Sequence, residues 1–204
     1  MTAETLVRRG RKFDQVLEGA QQVFLRDGFE GASVDEIARA AGVSKATLYS
    51  YFPDKRLLFM EVASAQCERQ ADEALLTLDL TQPPQVVLTQ VGHTFLRFIF
   101  SDMGQRIFRV CVAESDRFPE LGRKFYQSGP NKMRNALVGY LRAAMLRGEV
   151  NIEDMELAAD QFGEMCKADL WPKLIFGLRE SFSDAEIERI VDGAVSTFMA
   201  RYGT

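Results

Sequence analysis

The chain of 204 residues has little of the chemistry that most enzymes use, since it has one histidine and three cysteines. Because His93 is the only histidine, Ser–His and Cys–His pairs can form nowhere else, and it lies in no recognised nucleophile motif. Cys67, Cys111 and Cys166 are odd in number and widely spaced, which fits neither a disulfide framework nor a zinc site. These shortages predict a protein that is not an enzyme and that needs no cofactor or metal.

The sequence also shows no apolar run of membrane length, no signal-peptide pattern and no strand-like alternation. We therefore expect no membrane contact and a location in the cytoplasm. Without strands, a phosphate loop of the strand-to-helix type has no place. Hydrophobic residues make up 47% of the chain, so a sizeable core is available. Because no strand-like alternation is present, the sequence predicts an all-α protein. The net charge of −4 argues against a broadly basic nucleic-acid coat, but DNA binding needs only a local patch.

The stretch from residue 33 to residue 55 has the pattern of two short helices joined by a tight turn. Ser33 followed by Glu36 predicts an N-cap with a capping box. Gly42 stands where a C′ glycine would end the first helix. One small apolar face at helical spacing lies between them, formed by Val34, Ile37, Ala38 and Ala41.

A second helix, Lys45 to Tyr51, is predicted to follow the cap Ser44 and to stop before Pro53. Leu48 and Phe52 are four residues apart and are expected to point inward together. The outward positions carry hydroxyls and a lysine but no carboxylate, whereas a helix that only faces solvent usually mixes both signs. A surface without acids is suited to binding phosphates and base edges. The layout predicts a helix-turn-helix.

The segment GFEGASVDEIARAAGVSKATLYSYFPDKRLL resembles the DNA-binding domain of TetR-family regulators. The resemblance covers about the first third of the chain, with the turn, both caps and the TLYSYF run in register. It implies an N-terminal three-helix DNA-binding domain followed by a larger helical-bundle domain for ligand binding and dimerisation. The start of the second helix is then predicted to enter the major groove. The DNA contacts that the resemblance implies are Ser33, Val34, Ser44, Lys45, Ala46, Thr47, Tyr49, Tyr51 and Lys55.

Along the chain, we predict a DNA-binding domain over residues 1–53, a connecting helix over 54–80 and a ligand-binding and dimerisation domain over 81–204. Basic residues before residue 13 form either a frayed terminus or an arm that adds DNA contacts. The first helix should run from Phe13 to Asp27 and close at Gly28. Further helices are predicted over residues 84–101, 104–117, 120–127, 132–147, 152–177 with a kink or break at Pro172, and 183–202.

The last two predicted helices are unusually apolar for surface elements. Part of this apolar character is ordinary core, and small residues among them would also let helices from two subunits approach closely. In proteins that resemble this one, the last two helices form a four-helix dimer interface. We therefore predict a homodimer whose interface contains Ala159, Phe162, Val191, Val195 and Phe198.

Large and polarisable side chains are frequent in the predicted C-terminal domain. At helical spacing such residues are usually core, but the same side chains line apolar cavities in helical bundles. His93 is either a satisfied core residue or a polar group within such a cavity. The predicted binding site for a small apolar or aromatic effector contains His93, Phe95, Phe98, Phe108, Cys111 and Trp171.

These features predict a ligand-responsive DNA-binding regulator, a repressor that a small apolar effector releases from a near-palindromic double-stranded operator. The connecting helix is the expected lever between effector and DNA. One alternative is a dimeric small-molecule-binding protein that has lost DNA binding. Another is an all-α enzyme that uses carboxylates such as Glu114 and Asp116, but no catalytic motif in the sequence supports this alternative. The intact turn and the acid-free helix favour the regulator.

Overall fold

The computed structural model describes residues 10–204, with the side chains of residues 70, 71, 74, 75 and 77 left undescribed. Within residues 10–204 the prediction of an all-α fold is confirmed, and the strand-like pairing found there is an isolated antiparallel bridge between Val150 and Gly203. The predicted basic arm falls mostly on residues 1–9, which lie outside the described part. The helices formed by residues 10–204 are α1 Arg11–Gly31, α2 Val34–Ala40, α3 Lys45–Tyr51, α4 Lys55–Thr77, α5 Pro84–Phe100, α6 Asp102–Glu114, α7 Pro119–Ser128, α8 Pro130–Leu146, α9 Met155–Cys166, α10 Leu170–Ile175 and α11 Asp184–Tyr202.

Residue contacts divide the chain into two compact units. The first contains the described residues up to Cys67 together with Val110–Phe125, and the second contains Glu68–Arg109 and Tyr126–Thr204. This division differs from the predicted boundaries at residues 53 and 80, because part of the predicted C-terminal domain clusters with the DNA-binding helices.

The first unit is built on α1, whose apolar stripe is buried at Phe13, Val16, Ala20, Val23 and Phe24. Helices α2 and α3 have seven residues each, too short to be stable alone, so packing on α1 must stabilise them. The rings of Phe13 and Phe52 stack with centroids 5.4 Å apart. The predicted stop at Gly28 is a kink, since this residue has φ +72° and the chain resumes helical turns to residue 31.

The segment Val110–Phe125 belongs to the first unit because it packs on the start of α4. Arg56 Nε lies 3.0 Å from Glu114 Oε1, and Lys124 forms an ion pair with Glu61. The thiol of Cys111 lies 3.4 Å from Met60 Sδ. These contacts join positions some fifty to sixty residues apart in sequence, and no local pattern indicates them.

The second unit has a core formed mainly by α5, α8, α9 and α11. Tyr140 of α8 is buried, and its hydroxyl donates to the carbonyl of Gln82, 2.9 Å away. Helix α11 begins with the predicted capping box, in which the Ser183 hydroxyl accepts from the Glu186 amide and the Glu186 carboxylate accepts from the Ser183 amide.

The long helix predicted over residues 152–177 is instead two helices, α9 and α10. The break lies at Asp169, which has φ +65°, and not at Pro172. Pro172 is the third residue of α10. A first-turn amide has no partner within its helix, so proline is tolerated there.

The five residues predicted for the dimer interface belong to the core of the second unit. Each is buried within a single chain: Ala159, Phe162, Val191, Val195 and Phe198 are at most 7% exposed. They pack on one another and on α5 and α8, as shown by the edge-to-face pair of Phe162 and Phe198 with centroids 5.7 Å apart. Both helices bury an apolar face within their own subunit, so a part for these five side chains in a dimer interface stays a prediction.

Candidate DNA-binding surface

The turn between α2 and α3 has the hydrogen bonds of a glycine C-cap. The amide of Gly42 donates to the carbonyl of Arg39 at 3.2 Å, and the amide of Val43 donates to the carbonyl of Ala38 at 3.0 Å. Gly42 has φ +63°, where a side chain would be strained. The pair of bonds is the Schellman motif, so the turn predicted from Gly42 is confirmed.

The N-cap of α2 forms as predicted, but the capping box is only half present. The Ser33 hydroxyl accepts from the Glu36 amide at 3.2 Å. The Glu36 carboxylate accepts from the same hydroxyl, 3.1 Å away, and also lies 3.6 Å from the guanidinium of Arg26. Among the described residues, the Glu36 carboxylate makes no hydrogen bond to the Ser33 amide, because it contacts these two other groups instead.

Helix α3 begins at the predicted cap, where the Ser44 hydroxyl accepts from the Thr47 amide at 3.0 Å. The Thr47 hydroxyl lies 2.8 Å from that of Ser44. Leu48 is the buried residue of α3, and its side chain anchors the helix in the core of the first unit. The opposite side forms an exposed patch, called the recognition surface below, that consists of Lys45, Ala46, Tyr49 and Ser50.

Lys45 is held by an acid that the sequence analysis did not single out. Its Nζ lies 2.9 Å from Oδ1 of Asp35 in the first turn of α2, and both side chains are at least half exposed. The hydrogen bond to Asp35 and the charge of its carboxylate raise the pKa of Lys45. The charge of Lys45 is therefore partly balanced within the protein.

Three other predicted DNA contacts are partly engaged in internal packing. The Tyr51 ring meets Phe13 edge-to-face, with centroids 5.7 Å apart, and Val34 is half-buried. Lys55 donates to the carbonyls of Phe29 and Ala32 at 2.8 and 3.1 Å, and its ammonium lies 4.5 Å from the centre of the Phe29 ring. Lys55 thus ties the start of α4 to the end of α1, and its contact with phosphate stays a prediction.

Of the residues predicted for an effector site, the structure places two in direct contact. The rings of Phe108 and Trp171 meet edge-to-face with centroids 4.9 Å apart. Both are half-buried, as are His93, Phe95 and Phe98, and all five belong to the second unit. Cys111 is different, because it is buried in the first unit. Burial raises the pKa of its thiol to about 12, with Cys67 adding to the effect.

The part of the chain that the structure describes contains neither a membrane span nor a cluster of metal ligands. Among these residues, no helix combines the length and apolar character that a bilayer crossing needs. In the same part, no three side chains of histidine, cysteine, aspartate or glutamate come together as metal ligands.

Comparison with known protein families gives two matches that together span most of the chain. Residues 16–62 match the model of the tetR family of bacterial regulatory proteins. Residues 86–204, more than half of the chain, match the C-terminal domain of AefR-like transcriptional repressors. The first match covers the recognition surface, and the second covers α9 and α11.

Individual relatives agree with these matches. The HTH-type transcriptional repressor AcnR of Corynebacterium efficiens is 36% identical over 58 residues, which are 28% of this chain and 31% of that repressor. The match thus spans about a third of the length of that curated relative. The solved structure of a flavonoid-responsive regulator, FrrA, is 33% identical with a TM-score of 0.75, and the likeness covers 96% of this chain and 98% of that one.

A TetR-family regulator from Mesorhizobium loti is 28% identical with a TM-score of 0.75, over 95% of this chain and 98% of that one. These relatives are regulators and not enzymes, so the prediction of a non-enzymatic protein is confirmed. The two family matches and the structural likeness show that this chain belongs to the TetR family of transcriptional regulators.

Proposed function

We propose that this protein is a transcriptional repressor that binds a near-palindromic DNA operator as a homodimer and is released by a small aromatic effector. The observation that carries the proposal is the recognition surface. It is exposed, free of acids along α3, and held at a fixed orientation by Ser44, Gly42 and the buried Leu48. The N-terminal end of such a helix is the part that reaches base edges in the major groove. A cytoplasmic location is part of this proposal, since the DNA that such a repressor binds lies there.

Each residue of the recognition surface offers a different contact. Lys45 can bond guanine or a phosphate, and the methyl group of Ala46 suits the methyl group of thymine. Tyr49, a residue that is 43% exposed, can bond a phosphate or pack on the sugar. Ser33 and Ser44 satisfy helix amides, and their exposed hydroxyls are also available to the DNA backbone.

The dimer contact is proposed on the exposed faces of α9 and α11, and of the five interface residues named from the sequence Phe198 also lines this surface. A groove of about 500 Å³ runs between the two helices and is lined by Leu157, Asp160, Gln161, Glu164, Met165, Thr197, Phe198, Arg201 and Tyr202. Leu157 is 50% exposed at one end of this groove. A second copy of the same helix pair, related by a two-fold axis, would cover such a face.

Gly193 gives a second reason for a close partner at this face. It lies in the middle of α11, one turn before Thr197, and it is exposed. A Cβ atom at this position would meet nothing within 4 Å, so packing within the chain does not require glycine. A glycine inside a helix costs about 0.5–1 kcal/mol relative to alanine. Close approach of a partner helix would explain why glycine stands here.

The effector is proposed to bind in the second unit beside Phe108 and Trp171. Their edge-to-face pair is a large aromatic surface that is only half-buried. A flat aromatic molecule suits such a surface, and the 33% identical relative FrrA is named as flavonoid-responsive. The lone histidine, His93, lies half-buried on α5 in the same unit and is available for a hydrogen bond.

Coupling to DNA is proposed to run along α6. This helix carries Phe108 and continues to Glu114, which is about 9 Å further along the axis. Glu114 pairs with Arg56 in the first turn of α4, five residues after the end of α3 at Tyr51. An effector that favours one position of α6 would therefore bias the start of α4. Differential affinity for the two positions is required, because equal affinity shifts nothing.

The test is a mobility shift with DNA from the upstream region of the protein's own gene, with and without a flavone as probe. Wild-type protein should bind and the flavone should release it, while Tyr49→Ala should bind at least about tenfold more weakly. Tyr126→Ala is the matched control, because Tyr126 is 49% exposed on α7 in the second unit. Trp171 fluorescence should change on adding the flavone. A fluorescence change without DNA binding would favour a small-molecule-binding protein that has lost its DNA function.

A second experiment tests the coupling. Glu114→Gln removes one charge of the pair with Arg56 and should leave the flavone-induced change of Trp171 fluorescence intact. The release of DNA by the flavone should become weaker, since coupling between sites is typically about 1–3 kcal/mol. Glu120→Gln, an exposed change on α7, serves as control. Unchanged release in the Glu114→Gln protein would remove α6 from the proposed route.

A further inference from the structure

The ion pair between Asp35 and Lys45 joins the first turns of the two helices that form the helix-turn-helix. Asp35 is the second residue of α2, and Lys45 is the first residue of α3. Nζ and Oδ1 are 2.9 Å apart, with Lys45 50% and Asp35 67% exposed. The pair therefore lies on the same exposed side as the rest of the recognition surface.

The electrostatic environments of the two charges differ. The N-terminus of a helix carries a partial positive charge, which favours anions and disfavours cations. Asp35 is thus well placed in the first turn of α2, whereas Lys45 is poorly placed in the first turn of α3. A lysine at this position does not help α3 to form, and Asp35 supplies the opposite charge that makes its position tolerable.

We infer that Asp35 is a specificity-determining residue, which keeps Lys45 paired within the protein on random DNA and releases it only where a base edge replaces the carboxylate. This inference rests on the proposed DNA-binding function. Binding to random DNA is almost entirely electrostatic, and each lysine that neutralises a phosphate releases counterions. The pair of Lys45 and Asp35 has no net charge, and moving Lys45 to a phosphate would leave the carboxylate unpaired beside the DNA, so the pair adds little to this attraction.

A matching operator can offer Lys45 what random DNA does not. Guanine presents two acceptors, O6 and N7, to a lysine in the major groove. Because the exposed pair contributes little to stability, it is exchanged for guanine where the register of the helix also gives the Asp35 carboxylate a new partner. The released carboxylate can then accept from the amino group of a neighbouring cytosine or return to solvent. Asp35 therefore lowers affinity for wrong sequences more than for the right one.

The test measures binding of the full-length protein to a labelled random-sequence duplex of about 30 base pairs by fluorescence anisotropy, over a salt series. Asp35→Asn should raise affinity for this duplex about two- to fivefold, because a freed exposed charge is worth that much. The salt slope should steepen by roughly one, as expected for one additional phosphate contact.

Two further variants separate release of Lys45 from a general change of charge. In a Lys45→Met background, Asp35→Asn should produce no increase, because no ammonium remains to be released. Glu36→Gln removes the same charge from the neighbouring residue, whose carboxylate bonds Ser33 and approaches Arg26, and it should leave the affinity nearly unchanged. Thermal unfolding checks that each variant is folded.

The outcomes distinguish this inference from the function on which it rests. Equal increases from Asp35→Asn and Glu36→Gln, or an increase that persists with Lys45→Met, would mean simple repulsion between carboxylate and phosphate and would overturn the inference. If wild-type protein binds both the upstream DNA and the random duplex, and Asp35→Asn has no effect on binding, the inference alone is overturned. Wild-type protein that binds neither the upstream DNA nor the random duplex at low salt overturns it together with the proposed function.

Discussion

Helices α3 and α11 each have one face that packs within the chain and one face turned outward, but the two helices divide their residues differently. In α3 the buried side is a single residue, Leu48, and the exposed side is polar. In α11 the buried side includes Val191, Val195 and Phe198, and the exposed side is small and mixed, with Gly193 in its middle.

The difference teaches how to find the contact face of each helix. A helix with one anchoring residue shows its outer face by polarity alone. A helix with a broad apolar face does not show its outer contact face in this way, because its most apolar residues are those that its own subunit buries. In the proposed dimer, the residues of α11 that meet the partner are the small and mixed ones, which the sequence pattern does not distinguish.

The largest expected effect follows from the core position of Phe198. Phe198→Ala should lower the free energy of unfolding by about 3–5 kcal/mol, because the side chain is fully buried between Phe162 and Tyr202. Thr197→Ala, at the next position and exposed, should change it by less than about 0.5 kcal/mol. Denaturant unfolding checks both. Undiminished stability of a monomeric Phe198→Ala protein would contradict the core role of this side chain and favour a role in the dimer interface.

The next effect concerns the outer face of α11. Gly193→Arg should raise the dimer dissociation constant about 100-fold or more, because the new side chain would stand between two closely packed helices and strand a charge there. The folded monomer should persist, since the position is open within one chain. Sedimentation measures the effect, with Ser196→Arg as the control of equal charge outside the groove. Equal dissociation by both variants would argue against this face.

Lys55 tests whether a cation of the first unit is a tether or a DNA contact. Lys55→Met should lower stability by about 1–3 kcal/mol, because the carbonyls of Phe29 and Ala32 lose a charged donor. If Lys55 acts only as a tether, the salt slope of DNA binding should stay unchanged. A slope lower by roughly one would show a phosphate contact in addition. Lys12→Met, an exposed cation on α1, is the comparison.

The smallest expected effect concerns the serine N-caps of α3 and α11. Ser44→Ala and Ser183→Ala should each cost about 1 kcal/mol of stability, because each hydroxyl accepts from a first-turn amide. DNA affinity should fall only in the Ser44→Ala protein, since that cap orients the recognition surface. Thermal unfolding with a mobility shift measures both quantities, and a similar loss of DNA binding in the two proteins would contradict the distinction.

Short-range signals in the sequence determined the helix-turn-helix almost completely. Ser33, Gly42 and Ser44 each act on backbone groups at most five residues away, and the structure forms the caps and the turn that they predict. The capping box of α11 at Ser183 was predictable for the same reason. A cap side chain bonds an amide a few residues away, and a positive φ is adopted by a single residue. The identity of one residue is therefore enough to indicate a cap or a turn.

The tertiary structure alone decided which partner each remaining side chain meets. Lys55 bonds carbonyls more than twenty residues away, Cys111 lies against Met60, and Asp35 turns toward Lys45 across the turn. The face of α11 that is buried depends on where α5, α8 and α9 lie. Such contacts depend on the positions of whole helices, and the apolar pattern of one helix does not contain the positions of the others.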